Sequence, residues 1–86
     1  MTKSLWQQPN HLTGVKERLE DELAELCALN QRLARLLTSN ARADLPQTQD
    51  ELLSVQYSLQ NAYIAVLRAR IRDLEVRQAQ LVGEDS

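Results

Sequence analysis

Eighty-six residues with 43% hydrophobic and 26% charged content make one small domain, too apolar for general disorder and near the size at which a single core becomes marginal. A formal charge of −2 and a pI near 5.3 argue against the net basic face that nucleic-acid binding needs. The lone cysteine excludes an internal disulfide, and no apolar run has signal-peptide or membrane-spanning form, so the cytoplasm is the expected location.

Leu, Ala, Arg, Gln and Glu dominate, with two Gly, two Pro and no Phe, a mix that favours helix. The expected fold is all-α, a single antiparallel, coiled-coil-like two-helix hairpin over residues 1–86. Residues 1–10 contain Pro9 and no periodicity, and read as a loose lead-in. Within it Leu5 and Trp6 either form a short turn folded onto the hairpin end or anchor a partner.

The first helix is expected over about residues 12–38. Leu12, Val15, Leu19, Leu26, Leu29, Leu33 and Leu36 recur three and four residues apart, with Leu23 and Leu37 beside that seam and Glu22 interrupting it. These residues span about 140°, a stripe one helix can cover. Five acids between Glu17 and Glu25 sit towards the helix N-terminus and Arg32 and Arg35 towards its C-terminus, both favoured by the helix dipole.

The segment TSNARADLPQTQ, 38–49, interrupts the helical pattern. Thr38, Ser39 and Asn40 compete for backbone hydrogen bonds, and Pro46 drives Leu45 out of the α region. Two residues could cap the restart. Asp44 stands three residues before Gln47 with Pro46 in the first turn, and Thr48 stands three before Glu51. A connection this short makes the helices antiparallel.

The second helix is expected over about 46–82, ending at Gly83 with 83–86 as a polar tail. Its apolar arc spans about 220°, more than one neighbouring helix can bury. The arc divides into two lines. Leu52, Val55, Leu59, Tyr63 and Val66 are expected to face the first helix, so the predicted hairpin core is Leu19, Leu23, Leu26, Leu33, Leu52, Leu59, Tyr63 and Val66. The other line, Leu53, Tyr57, Ile64, Leu67 and Ile71, is expected to remain open as a partner-binding face. Ala62, Ala65 and Ala69 would admit a close neighbour.

With the turn centred near residue 43, Glu17 and Glu20 would oppose Arg68 and Arg70, and Arg35 would oppose Asp50 and Glu51. Such pairs select an alignment more than they stabilise it, at about 0.2–1 kcal/mol each. Arg70 is expected to point into the seam.

Catalytic signatures are sparse. His11, the one histidine, has no second ligand at metal spacing and reads as solvated or capping; Cys27 reads as a small hydrophobe. Alternating Arg68, Arg70 and Arg72 scatter around the helix and read as salt-bridge partners for the first helix. Phosphate loops, nucleophile elbows and paired catalytic carboxylates are missing from the sequence. The expectation is therefore no enzyme, no catalytic or metal residue and no cofactor, with a small all-helical enzyme of the chorismate mutase kind as the remote alternative.

The stretches LEDELAELCALNQRLARLL (19–37) and DLPQTQDELLSVQYSLQNAYIAVLRARI (44–71) resemble the small helical-hairpin chaperone subunits of type III secretion systems, the needle-subunit co-chaperones of the YscE/PscE and SsaE/EscE type. That resemblance implies a virulence-associated chaperone subunit. It would pair with a larger helical-repeat chaperone and keep the needle subunit soluble and unpolymerised before export. The alternative is a self-associating coiled-coil or bundle module, structural or a phage-type adaptor, using the same strip for a homodimer. Nucleic acid and membrane insertion are not expected.

Overall fold

The structure is a computed structural model that describes residues 9–85, so Leu5 and Trp6 lie outside the described residues. Two helices account for nearly all of it. Helix α1 spans Pro9–Leu37, and helix α2 spans Gln47–Asp85. A short 3-10 turn, Asn40–Asp44, separates them. The helices run antiparallel as a hairpin measuring 61 × 17 × 14 Å.

The turn resolves the backbone groups that α1 leaves open at its end. Thr38 Oγ1 donates to the Ala34 carbonyl at 2.8 Å, Ser39 Oγ to the Leu36 carbonyl at 2.8 Å, and Arg42 Nη1 to the Leu37 carbonyl at 3.3 Å. Arg42 also reaches across to α2, where its Nε donates to Asp50 Oδ1 at 2.7 Å. Leu45 is extended, with φ −75° and ψ 138°, as the following proline demands. The Pro46 carbonyl then accepts the first helical bond, from the Asp50 N–H at 3.0 Å. Helix α2 thus starts behind Pro46, and neither Asp44 nor Thr48 occupies the capping position. At the far end α2 continues through Gly83 to Asp85, because Gly83 keeps a negative φ and makes no left-handed cap.

Packing along α2 follows a heptad seam. Leu53, Tyr57, Gln60, Ile64, Leu67, Ile71, Leu74, Gln78 and Leu81 alternate four and three residues apart, and all nine are buried or half-buried. On α1 the matching line is Leu12, Lys16, Leu19, Leu23, Leu26, Asn30, Leu33 and Leu37, again with no exposed member. Leu12, Leu19, Leu67, Ile71 and Leu74 form the buried cluster, with Leu23 and Leu26 packed against it.

This corrects the assignment of the two α2 faces. Ile64, Leu67 and Ile71, expected to face a partner, are buried in the hairpin core, and Leu53 and Tyr57 are half-buried beside them. Leu52, Leu59, Tyr63 and Val66, expected in the core, are exposed, as is Val55. The reason lies in how far each line runs. Continued by three and four residues, the Leu52–Val66 line meets Arg70, Asp73 and Arg77, whereas the other line stays unbroken to Leu81 if Gln60 and Gln78 are admitted. A long hairpin buries the line that lasts. On α1, Leu19 and Leu33 are buried and Leu23 and Leu26 half-buried, as expected, but the seam passes through Asn30 and leaves Leu29 exposed.

The register is set by polar seam residues. Asn30 Nδ2 donates to Asn61 Oδ1 at 2.6 Å, and Gln78 Nε2 donates to Thr13 Oγ1. Both pairs centre the hairpin on Leu45–Pro46, beyond residue 43. None of the expected cross-helix ion pairs forms among the described residues. Lys16–Glu20 at 3.5 Å and Arg77–Asp73 at 2.8 Å lie within one helix, Arg42–Asp50 spans the turn, and Arg70 is exposed outside the seam. The seam is apolar with hydrogen-bonded punctuation, and surface charge does not clasp it.

Candidate docking face

Filling the hairpin seam leaves the second apolar line of α2 uncovered. Leu52 is 57% exposed, Val55 55%, Leu59 65%, Tyr63 41% and Val66 51%. The line lies about 100° around α2 from the seam, since each residue advances about 100°. It runs beside a shallow groove over Leu52, Val55, Leu59 and Tyr63, lined also by Gln56 and Gln60. A second groove continues past Val66 and Ala69 towards Arg70, Asp73 and Arg77, with Val15 of α1 on its edge.

Tyr63 fixes which edge of the hairpin this face occupies. Its hydroxyl donates to Glu22 Oε1 of α1, so the Glu22 side of α1 borders the line. Leu29, two turns beyond Glu22 on the same side of α1, is 49% exposed and widens the apolar area. The hydrogen bond to Glu22 raises the Tyr63 phenol above its ordinary value, with desolvation and the Glu22 charge acting in the same direction and Arg70 opposing them. The other edge is polar. Arg68 Nη2 approaches Cys27 Sγ at 3.9 Å beside the Asn30–Asn61 pair, which leaves Cys27 half-buried.

Ala62, Ala65 and Ala69 are exposed, and among the described residues no element packs on them to use their small size. His11 sits half-buried near the start of α1, away from Cys27 in the sequence. Among the described residues no three His, Cys, Asp or Glu side chains gather as a metal-binding group, and no helix is long and apolar enough to cross a membrane. The alternation of the open line was visible in the sequence; its exposure was not. The signal that would have exposed it is the Arg70–Asp73–Arg77 run at its end, set against the unbroken heptads of the buried line.

Neither the curated proteins nor the solved structures yield a match to this chain. A family model described as Sequestin matches residues 13–73, which take in the body of α1, the turn and α2 as far as Asp73. That segment is well over half of the chain and contains both the seam and the open line, and the protein belongs to the Sequestin family.

Proposed function

We propose that the chain is a non-enzymatic protein-interaction module that presents the open face of α2 to a helical partner. In its finer form the proposal is a cytoplasmic type III secretion chaperone subunit. It would pair with a larger helical-repeat chaperone and keep the needle subunit soluble and unpolymerised before export. One observation carries the docking reading: Leu52, Val55, Leu59, Tyr63 and Val66 are exposed in one line while the seam is already filled. Burying five such half-exposed side chains is worth about 1 kcal/mol each. Anchors spaced three and four residues apart are also the form in which helices lie in grooves. The chaperone reading is supported by the resemblance of residues 19–37 and 44–71. Family membership adds no named partner, so the partner is argued from the face.

The test is co-expression with a helical-repeat chaperone and a needle subunit of a type III secretion system from the same organism. The three should co-purify, and Leu59→Asp with Val66→Asp should abolish co-purification while far-UV circular dichroism stays helical. A complex that survives the double substitution would place the docking surface elsewhere. Absence of any complex with a folded wild-type chain would remove the chaperone reading.

A further inference from the structure

We infer that the open face of α2 docks on a second copy of this chain, antiparallel, with the two-fold axis passing beside Leu59. The inference rests on the reading of this line as a docking face and names a second copy as its occupant in the free chain, which a larger partner on the same line would have to displace. Three observations carry it. First, the line is self-complementary. Leu52, Val55, Leu59, Tyr63 and Val66 are spaced three, four, four and three residues apart, the same read in either direction. Two such lines laid antiparallel put Leu59 against Leu59, Val55 against Tyr63 and Leu52 against Val66, the isologous pairing that a two-fold requires. Second, the direction fits. The line lies about 100° around α2 from the hairpin seam, so two hairpins joined through it place four helices near the corners of a square, the section of a four-helix bundle. Leu29 then lies along the inner edge of α1, near the second copy's hairpin.

Third, the open area approaches what a dimer needs. Five large side chains, each about half exposed, leave on the order of 500 Å² open per chain. Leu29 and the flanking Gln56 and Ala62 carry the contact towards the roughly 800 Å² per partner of a standard interface. The line stops where Arg70, Asp73 and Arg77 begin, so the overlap is confined to the turn halves and the open ends project outward as two-helix arms.

The test uses the full chain with Cys27→Ser. In sedimentation equilibrium at micromolar concentration the chain should weigh about twice 9.8 kDa, and Leu59→Asp, which would bury paired carboxylates on the axis, should weaken self-association by about 100-fold or more. Under mild oxidation Leu59→Cys should cross-link to itself. Val55→Cys and Tyr63→Cys should cross-link to each other when mixed and hardly at all alone. Self-linking of Val55→Cys would show a parallel pair and overturn the geometry. A wild-type monomer whose co-purification with the helical-repeat chaperone is still abolished by Leu59→Asp would overturn the second copy and leave the docking face standing. A monomer whose complexes ignore that substitution would overturn both.

Discussion

Single side chains set the alignment of this hairpin more than its strength. Asn30 is buried in the seam, and its amide donates to Asn61 while its own oxygen lacks a hydrogen-bond partner among the described residues. A buried amide at a seam position is costly, and its use is to fix which residues meet, since a one-turn slip would strand it without Asn61. Tyr63 has the opposite setting, at the exposed rim against Glu22. Ionising the phenol would both remove the donor and set two negative charges together. With the folded-state value raised above 10.0, the contribution of this contact is present in full at lower pH and is lost as pH climbs through the raised value. Ultraviolet titration of phenolate in a Tyr57→Phe background should therefore place Tyr63 above the ordinary tyrosine value, and Glu22→Gln should bring it down. An identical titration with and without Glu22 would mean that the bond is not made in solution.

At the scale of the helices, both were legible from composition and periodicity, and so was the antiparallel turn. Their apolar lines were visible too, but which of them is buried was not. Counting only apolar residues over a short span favours Leu52, Leu59 and Val66 as core, yet burial goes to the line of Ile64, Leu67, Ile71 and Leu74, whose heptads continue through Gln60 and Gln78. The same bias put Leu29 in the α1 seam where Asn30 belongs. A search for unbroken period, tolerant of Asn, Gln and Lys, would have found both seams, because polar seam residues are accommodated by partners such as Thr13 and Asn61. Helix ends were read less well, since Gly83 stays inside α2. Gly14 likewise sits inside α1 without a backbone need for glycine. Its φ is negative, and an added Cβ would meet nothing within 4 Å. Gly14→Ala should accordingly stabilise the chain by about 0.5–1 kcal/mol, through helix propensity and a less free unfolded chain. Urea denaturation followed at 222 nm would measure it, and a loss of stability would show that Gly14 has a role the backbone does not reveal.

Across the whole molecule the core is a line and not a ball. The radius of gyration is 18.7 Å, against about 12 Å for a globular chain of this length, so each stretch of helix is supported only by the stretch facing it. Burial is also uneven along the rod. The cluster of Leu12, Leu19, Leu67, Ile71 and Leu74 lies in the half remote from the turn, while Leu52, Val55 and Leu59 stand exposed in the half next to it. A partner on the open line would therefore cover the part of the hairpin that covers itself least, which couples binding to the stability of the turn half. Leu67 is fully buried in the self-sufficient half, and truncating it leaves a cavity that two helices cannot easily close. Leu67→Ala should cost about 3 kcal/mol, a large share of the roughly 4–13 kcal/mol expected of a chain this size. Leu59→Ala, compared in the same urea titration at a concentration too low for self-association, should cost no more than about 0.5 kcal/mol. Equal losses at the two positions would mean that the line through Leu59 is packed within the single chain, and the open face would then not exist.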